Sequence, residues 1–455
     1  MSFIFKKVGT VLGCILIGLT SQLTAQTVAT VYSFDGSHGA TPDLLTLTQG
    51  RGGRLYGTTT AGGAGGVGTI FKQLTATSGN LVLYNALGSA VGLTLAGDGN
   101  YYGTNQLAGI SGKGTLFRVT STGVLTVLHE FTGGSDAGYP YGPPIQALDG
   151  SLYGMTFADG KGLHSTLYRF TMTGVFSTIY TFSDPNDVPF FITQAADGNL
   201  YATGQVSAPE CGGVFKLSVT GTLIFRHGFK CGGALGFFPD STLVEASDGN
   251  LYGTNVSGGR NNGGTIYRMR PNGALALIYS FGASAGDGAH PASGLTQASD
   301  GNFYGSTAAG GSAGAGSLYE LTLGGLYMQL YSFPKGGLAS QAPEGSLTQS
   351  TDGVLYGTTY QGGTHDMGSI FKLDMGLGPF VALLRSQGKP GSTVGILGQG
   401  FTGTTAVTFN GVPTTFTVLE DTYMTAVVPS GAGTGPVLVT TPTGTLKSNK
   451  NFAQK

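Results

Sequence analysis

The chain has 455 residues, with 22 Lys and Arg against 23 Asp and Glu and a formal net charge of −1, so it can bury a large core yet carries almost no field. That balance excludes the concentrated basic surface that nucleic acid or an anionic membrane would require. Glycine is the outlier at 82 residues; because the glycines sit at fixed offsets between β-branched and aromatic runs, they indicate an all-β protein rather than a disordered one.

Residues 1–25 read as an export signal peptide. Lys6 and Lys7 precede an apolar stretch at 8–19, and small residues follow up to Ala25. The stretch is too short to span a bilayer, and Cys14 lies inside it, which disfavours a lipid anchor. The expected location is secreted or extracellular, periplasmic or surface-associated, with no integral membrane segment after cleavage.

From residue 45 to 373 one unit recurs seven times, at intervals of about 50 residues. The unit is an apolar run, a turn that is Asp-Gly in every copy but the first, a Leu-Tyr-Gly-Thr strand or a variant, a glycine-rich loop and a Thr-Ile-Phe-Lys-Leu strand or a variant. The central tyrosines are Tyr56, Tyr102, Tyr153, Tyr201, Tyr252, Tyr304 and Tyr356. Residues 294–333 read as four short strands, with Asp300-Gly301 turning the first into the second; this is the pattern of a β-propeller blade. The last copy stops at Leu373 after its third strand, while residues 28–34 supply an isolated fourth. Pairing the two ends predicts a seven-bladed β-propeller over 27–373, closed by the N-terminal strand. The single carboxylate in each Asp-Gly turn suits hairpin chemistry better than calcium. The glycine after six of the seven tyrosines, replaced by Ala202 in the fourth copy, predicts close approach between adjacent blades.

Seven residues before the tyrosines stand Gln49, Leu95, Gln146, Gln194, Glu245, Gln297 and Gln349, on what should be the innermost strand. Their amides are expected to satisfy backbone groups between blades, and Glu245 is the single acid of the ring. Cys211 precedes one strand and Cys231 follows its antiparallel neighbour, so a disulfide is expected in an exported protein.

Residues 374–378 read as a linker. Beyond them, short strands at 393–397, 406–409, 414–419, 424–428 and 437–441, separated by Gly, Asn and Pro turns, predict an immunoglobulin-like β-sandwich over 379–455. Gly398-Gln399-Gly400-Phe401, Val407-Thr408-Phe409-Asn410-Gly411 and Ala426-Val427-Val428-Pro429 resemble the IPT/TIG family, which includes extracellular modules that space or support other domains. The repeats resemble the GloVer tandem-repeat family of exported bacterial proteins. Asp248-Gly249-Asn250-Leu251-Tyr252-Gly253-Thr254, then Gly258-Gly259 and Gly264-Thr265-Ile266-Tyr267, carry that resemblance, which implies no particular activity.

Function is expected on the face bearing the glycine-rich loops and the segments joining one blade to the next, where the copies differ most. Tyr139, Tyr141, Phe190, Phe237 and His290 on those segments, with Glu245 in the channel, are the candidate ligand-binding residues. Asp35, His38, His365 and Asp366 meet at the closing blade and form a candidate metal set. No catalytic residue is assigned, since the chain has neither a Gly-x-Ser-x-Gly elbow nor a His-Glu-x-x-His motif, and no cofactor is expected. The pattern favours a monomeric, non-enzymatic binding or adhesion module for an extracellular glycan or protein. The alternatives are a carbohydrate-active lyase or hydrolase at the channel mouth, which needs paired acids, and a structural envelope or matrix protein.

Overall fold

A computed structural model describes residues 26–42, 46–73, 80–85, 88, 90–157, 164–336 and 342–455. The export-signal expectation for 1–25 lies outside the described residues. Among them the fold is all-β, the one helical element being a single 3-10 turn at Arg260–Asn262.

The sixth copy shows the local logic. Thr296–Gln297, Phe303–Thr307, Ser317–Leu321 and Tyr327–Ser332 pair in chain order, each antiparallel to the next. Asp300 makes the first turn by accepting the Asn302 N–H at 3.1 Å, and it also takes the Tyr304 hydroxyl at 2.9 Å. The same Asp-to-Tyr bond recurs from Asp98 to Tyr102, Asp149 to Tyr153, Asp197 to Tyr201 and Asp248 to Tyr252. Each turn carboxylate thus satisfies a turn amide and a tyrosine hydroxyl that would otherwise be stranded in the interior. Burial, reinforced by the neighbouring carboxylate, pushes the hydroxyls of Tyr153 and Tyr252 up to about 12.

The glycine that follows six of the seven tyrosines has a different cause from the one expected. The crowding comes from the same sheet rather than from the next. Gly305 lies directly opposite Tyr319, and a Cβ at Gly305 would sit 2.4 Å from the Tyr319 hydroxyl. Phe71, Phe117, Tyr168, Tyr267 and Phe371 crowd Gly57, Gly103, Gly154, Gly253 and Gly357 in the same way.

Among the described residues, seven such four-stranded sheets make up the repeat region, in a propeller-like arrangement. The seventh joins Thr348–Gln349, Leu355–Thr359 and Ser369–Asp374 to Thr27–Ser33, with Thr27 opposite Asp374 and Ser33 opposite Ser369. Second strands are almost wholly buried, Leu55–Thr59 at every residue, because each sheet is packed between two others. The apolar clusters lie between consecutive copies, and one of them joins Leu47, Leu55 and Phe71 of the first to Phe34 and Ile370 of the seventh.

A second set of contacts runs along the innermost strands. Gln146 accepts the Gly97 N–H of the copy before it at 2.8 Å, Gln194 the Leu148 N–H, Gln297 the Ser247 N–H and Gln349 the Ser299 N–H. Glu245 does the same for Ala196 with both oxygens, at 2.8 and 3.0 Å. Gln49 of the first copy accepts the Thr351 N–H of the seventh at 2.9 Å. Where Leu95 interrupts the series, the Arg51 guanidinium donates to the Gly97 carbonyl at 2.9 Å.

In the C-terminal domain two four-stranded sheets and one small three-stranded sheet enclose a core that includes Val394, Ile396, Phe401, Val407, Phe409, Met424, Val439 and Phe452. This domain sits against the Asp-Gly turns. Arg51 lies over the Tyr423 ring at 4.3 Å, Thr422 donates to the Arg51 carbonyl, and the Phe380 N–H donates to Thr351 at 3.1 Å. Gln387 reaches the Ala196 carbonyl at 3.2 Å, in the fourth copy. The contacts therefore span the first, fourth and seventh copies.

Candidate functional site

Five copies enter their first strand through an X-Pro step whose X residue has positive φ: Thr41 (48°), Tyr139 (52°), Phe238 (60°), His290 (56°) and Ala342 (49°). Side chains rarely adopt this region, and holding one there costs roughly 1–3 kcal/mol. The neighbouring copy supplies the compensation. Each X residue donates its N–H to the preceding copy, at Met367, Lys113, Cys211, Gly263 and Ala315 respectively. The proline after it packs on a glycine of that copy, where a Cβ would come within 2.4 Å (Gly114 against Pro140) to 2.7 Å (Gly316 against Pro343) of the ring. Backbone geometry is thus committed to joining the copies. The side chain at X can differ freely, and it does.

Two of the predicted residues, Tyr139 and His290, occupy this position. The Lys113 ammonium donates to the Tyr139 hydroxyl at 2.9 Å and lies 4.7 Å from its ring centre, while His290 Nδ1 is 3.0 Å from the Val256 carbonyl. Phe237 is one place away and half-buried, packed with the cluster between the fourth and fifth copies. Its neighbour Phe238, 45% exposed and edge-on to it at 5.0 Å, is the ring presented to solvent. The recurring proline one residue later is the sequence signal that singles out Phe238.

Tyr141 and Phe190 come together. Their ring centres are 5.0 Å apart; Phe191 lies 5.5 Å from Tyr141, and Phe157 stacks on Phe190 at 5.9 Å. All four rings are half-buried, at the loop end of the third and fourth copies. They form one aromatic patch shared by two sheets.

Of the candidate metal set, Asp35 and His38 meet. The Asp35 carboxylate takes the His38 backbone N–H at 2.8 Å and lies 2.7 Å from its Nδ1. Burial opposes ionisation of Asp35, but the His38 and Ser37 hydrogen bonds outweigh it and hold the carboxyl below its usual range. Asp366 instead accepts the Gly362 N–H, and His365 pairs with the Thr364 hydroxyl. Among the described residues no group of three or more His, Cys, Asp or Glu side chains is arranged to hold a metal ion. Cys211 and Cys231 are joined in a disulfide, their Cα atoms 5.0 Å apart.

Glu245 stands at the opposite end, on the turn face. There the first strands and turns of the fourth to sixth copies and the C-terminal domain border an open cavity of about 820 Å³. Burial raises the Glu245 pKa above the ordinary carboxylate value. Lys450 also borders the cavity and is exposed to solvent. No periodic signal marked this residue, because it lies outside the repeats.

No curated protein sequence matches the chain. Solved structures with a similar fold include virginiamycin B lyase from Staphylococcus aureus, with a TM-score of 0.52, 15% identity, and coverage of 76% of this chain and 98% of that one. The extracellular domain of BT3049, a hybrid two-component system of B. thetaiotaomicron, has a TM-score of 0.52 at 14% identity over 93% of this chain. That of BT4673 has a TM-score of 0.52 at 10% identity over 93%. The alignments cover 54% and 59% of those two chains, so this chain spans little more than half their length. At such identities the likeness shows the fold alone. An IPT/TIG domain model matches residues 380–453, and the Gloeobacter/Verrucomicrobia repeat model matches 17–205 and 188–415. The seven sheets are thus the product of a recognised tandem repeat, and the chain belongs to the Gloeobacter/Verrucomicrobia repeat family.

Proposed function

We propose that the repeats form a closed seven-bladed β-propeller followed by an immunoglobulin-like sandwich, and that the protein is a secreted or cell-surface, non-enzymatic binding module whose loop face takes a glycan or protein ligand. Closure is supported by the cluster joining Phe34 and Ile370 to Leu47 and Phe71, and by the Gln49 to Thr351 bonds. The Cys211–Cys231 disulfide suits an oxidising compartment outside the cytoplasm.

The aromatic patch of Tyr141, Phe157, Phe190 and Phe191 carries the functional reading. Half-buried rings on a rigid scaffold lose little freedom on binding and offer apolar faces on which a sugar or a partner side chain can stack. The turn face is partly occupied by the C-terminal domain, which leaves the loop face as the broad open surface. A hydrolase of the usual two-carboxylate type would need a pair of acids, whereas the Glu245 carboxylate holds the Ala196 amide.

The test is a glycan array probed with the mature protein and with a Tyr141→Ala/Phe190→Ala variant, alongside a pull-down from envelope material. Binding by the wild type that falls at least roughly tenfold in the variant is expected, since stacked rings are common anchors. Blank results in both assays, or a variant that binds like the wild type, would refute the reading.

A further inference from the structure

The turn-face cavity has a feature that holding the repeats together does not explain. Five of the seven inner-strand positions carry Gln, and a Gln amide accepts the neighbouring backbone N–H perfectly well, as Gln194 does for Leu148 at 2.7 Å. Glu245 performs that same task, so its negative charge is surplus to the joint. Facing the same cavity is Lys450, on the segment between Gly444–Lys447 and Phe452–Gln454 of the IPT/TIG domain.

Among the described residues the Lys450 ammonium makes no ion pair and no hydrogen bond, and it interacts with Glu245 only through space. Being exposed at the cavity, that ammonium is accessible to an anion from solution. Beside it, Asn449 and Asn451 also border the cavity, with side-chain amides that none of the described residues engages. Ser247, Ser299 and Thr434 add hydroxyls to the walls. A volume of about 820 Å³ falls within the range of small-molecule sites and far exceeds one inorganic anion. A cation flanked by amides and hydroxyls along the cavity wall matches a ligand with one negative charge and many hydroxyl groups.

We propose that the cavity between the propeller-like repeats and the IPT/TIG domain binds a small acidic saccharide, its carboxylate held by Lys450 and its hydroxyls by Asn449 and Asn451. Glu245 then acts as a selectivity element. It repels a second negative charge on the ligand.

The experiment is equilibrium dialysis of the full chain against D-glucuronate, D-glucose and inorganic phosphate. Glucuronate should bind, with glucose and phosphate weaker by roughly tenfold or more, because each lacks either the charge or the hydroxyls. Lys450→Met should abolish glucuronate binding. Glu245→Gln keeps the acceptor for Ala196 and should tighten glucuronate binding several-fold by removing a like charge. Tyr141→Ala, on the other face, should leave it unchanged, which separates this site from the loop-face reading. If Lys450→Met fails to fold, the sign of the Glu245→Gln change decides. Absent glucuronate binding, equal binding of glucose or phosphate, unchanged affinity in a folded Lys450→Met, or weaker binding in Glu245→Gln would each overturn the proposal.

Discussion

If the ring is closed, its seam should be among its most tightly held joints, and Gln49→Ala tests this. Gln49 is 7% exposed; it accepts the Thr351 N–H at 2.9 Å and donates to the Thr351 hydroxyl at 2.8 Å. Thr351 is fully buried, its hydroxyl also taking the Gln399 amide and donating to the Gly398 carbonyl. Truncation removes two hydrogen bonds, each worth about 1 kcal/mol net, and leaves the Thr351 N–H without a partner in a site too enclosed for easy solvation, adding about 1–3 kcal/mol. We expect a loss of about 3–5 kcal/mol. Gln349→Ala removes an equivalent pair of contacts to Ser299, but at an exposed joint where water can substitute, so about 0.5–1 kcal/mol is expected. Chemical denaturation of both variants gives the comparison, and hydrogen exchange at the Thr351 amide locates it. Equal losses, or an unchanged exchange rate at Thr351, would show that the seam is no tighter than any other joint.

Two further outcomes follow from the repeat itself. Gly305→Ala should destabilise by about 1–3 kcal/mol through overpacking against Tyr319, and Tyr319→Phe should relieve part of that, since the fourth copy pairs Ala202 with Phe215; a double variant as unstable as the sum of its parts would contradict the contact. Burial works to raise the Asp197 pKa, but the Lys216 ammonium at 2.9 Å, the Asn199 amide and side chain and the Tyr201 hydroxyl outweigh it and lower it. The folded state then releases this proton more readily than the unfolded one, so the contribution to stability exists above the usual carboxylate range and is lost as pH falls through it. Asp197→Asn should therefore melt below the wild type near pH 7, with the gap closing towards about pH 3. A gap that held constant on acidification would refute that assignment.

Features with period or register were legible in the sequence. The Asp-Gly turns, the tyrosines, the amide series from Gln49 to Gln349 and the strand at 28–34 all repeat or complete a pattern, and the structure puts them to backbone uses. The glycines after the tyrosines were legible as close contacts but not by partner, because a spacing of 50 residues cannot distinguish a ring across the sheet from one in the next sheet. The X-Pro step was readable in principle, yet its positive φ depends on a glycine of the preceding copy. The meeting of Lys450 with Glu245, and of Arg51 with Tyr423, carries no periodic mark, since such contacts arise from docking two domains of unrelated pattern.

The strand at Thr27–Ser33 is the first described segment to be synthesised and the last to find its place, for its partner at Ser369–Asp374 emerges some 340 residues later. Joining ends so far apart costs on the order of 5 kcal/mol in chain entropy, before any contact of the seam is made. Until then Ser369–Asp374 is an open edge that a strand from another molecule could occupy. Folding yield should accordingly fall with chain concentration, as closure within one molecule competes with exchange of that single strand between two.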